Sequence, residues 1–418
     1  MNLDEMRGFV NEVEAAPLDR LMDRASADVR AALDRSLKRQ ELTSDEGLLL
    51  YTSNGDDLRA TVKCADLARA EDVGDEVTYV VNRNLNFTNI CFVGCQFCGF
   101  KRQKWESDAY DHSNETILAK IADALARGAT EVCIQGGINP EMPAFKYRDI
   151  LDTIKGRFPE IHIHAFSPME IMYGSRRTNM PYPEYIGMLR DHGLGSIPGT
   201  AAEILDDDIR EILSHKKVDV ATWVEIISTA HELGVPTTST IMYGHLEKPR
   251  HVVNHLNLLR EIQKRTHGFT EFVPLRFIHE NTVLFRKGLV DPPPLGELDL
   301  QMYAFSRLFL RGRIDNLQTS WVKLGVDCAA VTLKAGCNDF SGTLMEESIT
   351  AEAGGTSGEF VSVDQIEEKA REIGRIPVER STTYQKLYGK RAPNGARPIS
   401  HSLTSHDDYH ACGGSGGG

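Results

Sequence analysis

Asn82-Arg-Asn-Leu-Asn-Phe-Thr-Asn-Ile-Cys91-Phe-Val-Gly-Cys95-Gln-Phe-Cys98 is the stretch on which the reading of the fold turns. Its first half alternates: Asn82, Asn84, Asn86 and Thr88 share one face and Arg83, Leu85 and Phe87 the other, the period of an extended strand. A parallel strand is buried on both faces, so a wholly polar face predicts the lining of a wet cavity. The second half places Cys91, Cys95 and Cys98 in a CxxxCxxC directly after that strand. Thiolates bind iron–sulfur clusters, and three on one tight loop can hold three irons of a cubane and leave one iron open. A zinc loop is the competing reading. It needs four protein ligands, and no second CxxC or HxxxH lies near. Cys133, Cys328 and Cys337 read as small buried residues, and their scatter does not suggest a disulfide framework.

Working outward, strand-like runs alternate with helical patterns from about Val77 to Thr350. The runs are Val77 to Asn89, Glu131 to Gln135, Ile161 to Phe166, Leu194 to Ile197, Thr237 to Met242, Thr270 to Leu275, Ile314 to Gln318 and Ala330 to Leu333. Between them Tyr147, Ile150, Leu151 and Ile154, and again Val220, Trp223, Val224 and Ile227, recur at helical spacing. The pattern predicts an α/β fold, a (β/α)8-type barrel whose functional groups collect at the C-terminal strand ends. Residues 76–350 would be the barrel and 1–75 a helical N-terminal extension. Residues 351–388 would be a C-terminal segment, a short helix plus an extended stretch packing on the barrel. Residues 389–418, ending in GGSGGG, would be a disordered tail. The 418 residues carry 47 Lys and Arg against 60 Asp and Glu, a formal charge of −13, which disfavours nucleic acid and anionic membranes as partners. No apolar run is long enough to span a bilayer and Met1 to Val13 does not read as a signal peptide, so a cytoplasmic location is expected.

The cysteine loop and the strand before it resemble those of the radical SAM enzymes. His164-Ala-Phe-Ser-Pro-Met-Glu170, Ser196-Ile-Pro-Gly-Thr-Ala-Ala-Glu-Ile-Leu205, Ser239-Thr-Ile-Met-Tyr-Gly-His245, Gln318-Thr-Ser-Trp-Val-Lys-Leu324 and Asn338-Asp-Phe-Ser-Gly-Thr-Leu-Met-Glu346 sharpen the match. Together they are most similar to the tyrosine-ligating subunits of FO synthase, in coenzyme F-420 biosynthesis, over about Glu46 to Tyr388. The resemblance implies a 4Fe-4S cluster on Cys91, Cys95 and Cys98, and S-adenosyl-L-methionine (SAM) chelated to the open iron. It implies a radical transferase joining the 4-hydroxybenzyl group of L-tyrosine to 5-amino-6-(D-ribitylamino)uracil. A reductant protein and a separate ring-closing radical SAM subunit are the implied partners, since the chain has one CxxxCxxC. Two sister activities share the cluster loop, aminofutalosine synthase and dehypoxanthine futalosine cyclase. A non-catalytic iron–sulfur binding protein is the alternative of another class. Gly99 stands where this family usually has alanine, with little effect expected.

Candidate residues follow the strand ends. Gln135, Gly136 and Gly137 form a turn after the second run, which the resemblance places at the SAM amino group. Phe97 belongs to the same cofactor set. Ser167 and Glu170 suit ribose hydroxyls or an ammonium, or form a helix capping box; both can hold. His162, His164 and Phe166 would point inward, the histidines as hydrogen-bonded filling. Glu203 follows the fourth run and Tyr243 with His245 the fifth, as pocket or surface-loop residues. Asn86, Arg276, His279, Gln318, Asn338 and Asp339 complete the candidate substrate set. Arg276 and Asp339 are the cation and anion an amino acid needs, unless they are ordinary ion pairs. No residue is assigned a catalytic role.

Overall fold

The structure, a computed structural model, describes residues 1–388; the expected tail 389–418 lies outside them. Strands form where the sequence alternates or runs apolar: β1 Glu76–Val80, β2 Asn82–Asn86, β3 Glu131–Gln135, β4 His162–Ala165, β5 Thr237–Tyr243, β6 Phe269–Arg276, β7 Asp339–Gly342 and β8 Ile376–Glu379. Every ladder between them is parallel. β2 pairs with β3, β3 with β4, and His164–Ser196 and Ile197–Thr237 bridges carry the ring to β5. β5 pairs with β6, Phe272–Leu317 and Gln318–Asp339 bridges lead on to β7, and β7 returns to β1. With β1 and β2 as one interrupted stave and two staves present only as bridges, the ring is the expected (β/α)8 barrel.

Two expected runs differ. The stretch Val77 to Asn89 is broken at Val81, because its lower half bonds β7 and β8 while its upper half bonds β3. Ala330 to Leu333 is not a strand but the end of a helix, Val326–Leu333, and the eighth stave is β7. A four-residue apolar run does not by itself distinguish a strand from a buried helix turn. β8 lies outside the ring, paired with β1 from Glu76–Ile376 to Tyr79–Glu379. It is held there by the helix Val363–Glu372, whose Ile366 and Ala370 are buried.

The surrounding helices bury the faces their spacing marks. The helix Lys146–Arg157 buries Tyr147, Ile150, Leu151 and Ile154. Residues 3–73 form α1 Leu3–Ala15, α2 Leu18–Arg24, α3 Ala27–Leu37, α4 Ser44–Tyr51 and α5 Gly55–Val73. They pack on the barrel wall at the helix Glu297–Phe309, so closely that a Cβ on Gly47 would lie 2.5 Å from the Phe309 ring. No helix of the described residues is long and apolar enough to cross a membrane.

Candidate active site

One cavity of about 400 Å³ runs down the barrel from the cysteine loop to the C-terminal segment. Strand register divides its wall into layers. Asn86 and Gln135 are paired at the top, Asn84, Cys133 and His164 in the middle, and Asn82, Glu131 and His162 at the bottom. Backbone strain gathers at the upper end. Phe166, Ala201, Glu203, Ser341, Leu344 and Met345 all have positive φ, between 41° and 81°, at or after strand C-terminal ends. Strain of this kind persists where surrounding structure holds it and marks functional sites.

The roof is the loop 91–98, pinned from several sides. Cys91 N–H donates to the Arg102 carbonyl (3.1 Å) and Phe92 N–H to that of Ile138 (3.1 Å). Gln96 N–H donates to Leu213 O (2.8 Å), and Gln96 O accepts from Leu284 (3.1 Å). Cys91, Cys95 and Cys98 all line the cavity. Burial pushes the Cys95 thiol up to about 12 and raises Cys98; Lys217 opposes the shift at Cys95. Among the described residues no three His, Cys, Asp or Glu side chains converge on a single-ion position. Three thiols spread around one cavity suit a polynuclear cluster better than zinc.

Gly99 does more than expected. A Cβ there would lie 2.3 Å from the carbonyl oxygen of Glu352 and 2.9 Å from Ala353 Cα. The short helix Ser348–Glu352 therefore rests directly on the roof, tied by Arg102 Nη2 to Glu352 Oε2 at 2.7 Å.

Below the roof, the Gly136–Gly137 turn is demanded by packing. Added Cβ atoms would lie 2.6 Å from the Phe87 ring and 2.3 Å from Ile90 O. Both amides are used, Gly136 N–H by Glu170 Oε1 (3.0 Å) and Gly137 N–H by Thr88 O (2.7 Å), which leaves the carbonyls to face a ligand. Ser167 and Glu170 form the full capping box of the helix Pro168–Thr178 and also line the cavity. Burial pushes Glu170 up to about 7 against hydrogen bonds from Ser167 and Gly136. Glu203 accepts from Lys217 Nζ at 2.5 Å through Oε1, while its buried Oε2 has no hydrogen-bond partner. Asn86 Oδ1 is a second buried orphan acceptor on this wall. Orphan acceptors beside the thiols fit a ligand bearing ammonium and hydroxyl donors, so the residues present suit a cluster-bound SAM.

Of the expected site residues, Cys91, Cys95, Cys98, Phe97, Gln135, Gly136, Gly137, Ser167, Glu170, Glu203, Asn86, Arg276 and Gln318 are brought together on the cavity wall. Tyr243, His279, Asn338 and Asp339 are not. Tyr243 is buried behind the wall, donating to Asp299 Oδ1 at 2.8 Å. His279 is half-buried against the Phe285 ring at 4.5 Å. Asn338 Oδ1 accepts from Arg307 Nη2 (2.7 Å) and Leu317 N–H (2.8 Å), a staple between staves. The Asp339 carboxylate is taken by Arg380 Nε (2.5 Å), Thr78 Oγ1 (2.6 Å) and Ser341 N–H (2.8 Å). Arg276 reaches the cavity, but its Nη1 is spent on Asp299 at 2.6 and 2.8 Å. Both are thus ion pairs of the fold. Phe166 turns outward on its φ of 45° and packs on Tyr147, with ring centroids 4.7 Å apart.

Other cavity residues escaped the sequence reading. Lys217 is one: burial pulls its ammonium down, but Glu203 and Cys95 hold it above the ordinary range. Its ammonium lies 5.3 Å from the Phe97 ring centroid. Lys323, lowered by burial, donates to Thr350 Oγ1 at 2.7 Å. At the floor are Glu131, Glu271, Arg380 and Thr382. The only prior signal for Lys217 was a lysine pair after a short amphipathic helix, and for Glu271 a charged residue inside an apolar strand, which is rarely buried unpaired.

A (β/α)8 barrel whose first stave ends in a three-cysteine loop defines a radical SAM protein. The model of the Radical SAM superfamily matches residues 85–259, and that of the CofH/MqnC C-terminal region residues 266–391. The chain is 47% identical over 348 residues to the 5-amino-6-(D-ribitylamino)uracil–L-tyrosine 4-hydroxyphenyl transferase of Methanothermobacter thermautotrophicus, covering 83% of this chain and 95% of that one. It is also 47% identical over 384 residues to the FO synthase of Mycobacterium leprae, of which it spans 44%. The chain belongs to the family of these tyrosine-ligating 4-hydroxyphenyl transferases. Two solved structures share the fold: methylornithine synthase (TM-score 0.65, 17% identity, 83% of this chain and 97% of that one) and the hydrogenase maturase HydG of Carboxydothermus hydrogenoformans (0.67, 14%, 92% and 86%).

Proposed function

We propose that this protein joins the 4-hydroxybenzyl group of L-tyrosine to 5-amino-6-(D-ribitylamino)uracil, the ligation step of deazaflavin formation. The observation that carries the reading is 47% identity across 95% of the Methanothermobacter transferase. It coincides with a cavity that holds the three cysteines at one end and a polar floor at the other. Cys91, Cys95 and Cys98 would hold the 4Fe-4S cluster. Glu203, Lys217, the Gly136–Gly137 carbonyls and Asn86 would hold SAM, with Lys217 the cation for its carboxylate. When bound, this pair would supply the radical chemistry that hydrogen abstraction from tyrosine requires, while the residues named here hold and orient it.

The chain's own contribution is enclosure and orientation. The roof and the helix Ser348–Glu352 exclude water from above. The strained loops after β4 and β7 and around residues 201–203 hold polar groups in one geometry. The reductant would deliver its electron from outside the roof. The ring-closing step would fall to a second radical SAM unit, the chain spanning 44% of the Mycobacterium FO synthase.

The test is anaerobic incubation of reconstituted protein with dithionite, SAM, tyrosine and the aminouracil, followed by mass spectrometry. A tyrosine-dependent adduct of the uracil is expected, lost in Cys95→Ala. Formation of 5'-deoxyadenosine without that adduct would assign the chain another substrate.

A further inference from the structure

The floor holds a carboxylate that no step above uses. Glu271, on β6, is 6% exposed and lines the cavity. Its Oε2 is crowded: Gln318 Nε2 donates at 3.1 Å, the Tyr384 hydroxyl at 2.5 Å, and Arg380 Nη2 lies 3.5 Å away. Among the described residues no hydrogen bond or ion pair reaches its Oε1, all of them falling on Oε2, and the residue lines the lumen. Two neighbours repeat the pattern. Gln318 spends its amide N–H on Glu271 and leaves Oε1 free. His164 bonds Ser196 Oγ through Nδ1 at 2.6 Å and leaves Nε2 free. Three residues that line the lumen from three staves thus each keep a polar atom without a hydrogen bond among the described residues.

The support beneath them comes from the chain's far end. After β8 the backbone turns under the barrel. Arg380, fixed to Asp339 at 2.5 and 3.1 Å, stands beside Glu271, and Thr382 donates to Glu131 Oε2 at 2.6 Å. The Tyr384 ring lies against the Arg380 guanidinium, 4.0 Å from its centre. Burying a carboxylate is costly unless its lone pairs are satisfied, and here one edge is braced while the other is left for something else.

We propose that the free edge of Glu271, with Gln318 Oε1 and His164 Nε2, is the subsite for the aminopyrimidine co-substrate, gripped through its N–H and ribityl O–H donors. Arg380 and Tyr384 are positioning residues that hold this edge toward the lumen. The inference rests on the function proposed above. Tyrosine fits the floor less well: its amino group must lie under the roof, beside the SAM residues, which leaves one phenolic donor to reach down. The amino, ring N–H and polyol groups of the ribitylated uracil can satisfy all three free atoms at once, whereas a phenol leaves two unpaired.

The experiment titrates 5-amino-6-(D-ribitylamino)uracil, and separately L-tyrosine, into anaerobic cluster-loaded wild type and Glu271→Gln, then measures KM for both. The expected result is aminouracil binding weakened about 10- to 100-fold, with the KM for tyrosine moved less than about twofold. A variant that loses tyrosine affinity instead, or neither affinity, overturns the proposal. Should Glu271→Gln fail to fold, Tyr384→Phe serves: a raised KM for the aminouracil at little-changed kcat supports the positioning role, and unchanged constants refute it. Titration with 5,6-diaminouracil, which lacks the ribityl chain, should show a smaller loss in the variant; an equal loss removes the polyol from the subsite. Wild type that binds the aminouracil without forming adduct overturns the proposed function and leaves the subsite standing. Wild type that does not bind it overturns both.

Discussion

The two ends of the cavity are built in opposite ways. The roof is local: its three thiols lie within eight consecutive residues, 91–98, and the loop follows directly on the stave whose polar face lines the lumen. The floor is distributed, with Glu131, Glu271, Asp339, Arg380 and Tyr384 drawn from parts of the chain up to 253 positions apart. The roof gathers three thiols beside two buried oxygens, Asn86 Oδ1 and Glu203 Oε2, that lack a hydrogen bond among the described residues. The floor is an interlocked ion network with a single open edge. The thiols are placed by one local motif, whereas the floor depends on the whole ring being closed.

If that contrast holds, damage at the two ends should look different. Cys95→Ala should give the largest functional effect: iron in the reconstituted protein falls, adduct formation drops to background, and far-ultraviolet circular dichroism is unchanged. Unfolding of this variant would show that the roof is structural after all. Arg380→Met should do the reverse, leaving the thiols intact and the buried Asp339 and Glu271 carboxylates without their cation. Removing one partner of a buried pair costs ~3–5 kcal/mol, measurable by urea unfolding. The double variant Arg380→Met with Asp339→Asn should recover at least ~1 kcal/mol of that loss. Strict additivity would dissolve the network.

Where roof and C-terminal half touch, Gly99→Ala sharpens the comparison. A methyl group 2.3 Å from the Glu352 carbonyl has no room, so the helix Ser348–Glu352 must move. Overpacking of this kind costs ~1–3 kcal/mol. The thermal midpoint should fall, and the iron content of the reconstituted protein should change little. An unchanged midpoint would mean that the helix shifts freely and is not a fixed part of the roof.

What was legible in the sequence follows the same division. The barrel and the cysteine loop were readable because alternation, helical spacing and CxxxCxxC are short-range signals. The Ser167–Glu170 capping box was readable for the same reason, and both residues also line the cavity. The floor was not. Arg276 and Asp339 had the right chemistry for an amino acid, but their partners Asp299 and Arg380 stand 23 and 41 positions away, and no local pattern announces such pairs. β7 was hidden because Asp-Phe-Ser-Gly lacks strand character, while the apolar Ala330 to Leu333 nearby imitated it. Glu271 sits in an otherwise apolar strand, where nothing local shows whether it faces the lumen or the helices.

The smallest effects lie in the pH dependence of stability, where buried histidines and buried carboxyls act with opposite sign. In the middle layer, burial lowers His164 to about 4; outside the ring it lowers His231 to about 4 and His255 to about 3. The folded state thus binds fewer protons than the unfolded one, whose histidines titrate near 6.5. Stability is full above that value and lost as pH falls toward 4. At the roof Glu170 and at the floor Glu271 are both raised by burial to about 7, so their contributions are present below about 4.5 and lost as pH rises through 7. Each group contributes at most about 1.4 kcal/mol per pH unit inside its window. Urea unfolding of the cluster-free protein should therefore show stability rising from pH 5 to about 6.5, where the three histidines outweigh Glu170 and Glu271, falling a little to about pH 7 through the two carboxyls, and level above it. His164→Asn should flatten the acid limb by about 1 kcal/mol between pH 7 and 5.5 and leave the alkaline limb alone. Glu170→Gln removes an opposing contribution between about pH 4.5 and 7, so it should steepen the acid limb and lessen the fall toward pH 7. A Glu170→Gln profile that stayed parallel to the wild type between about pH 5 and 6.5 would show that the roof carboxyl is not raised in the folded protein, and the electrostatic reading of the roof would have to be given up.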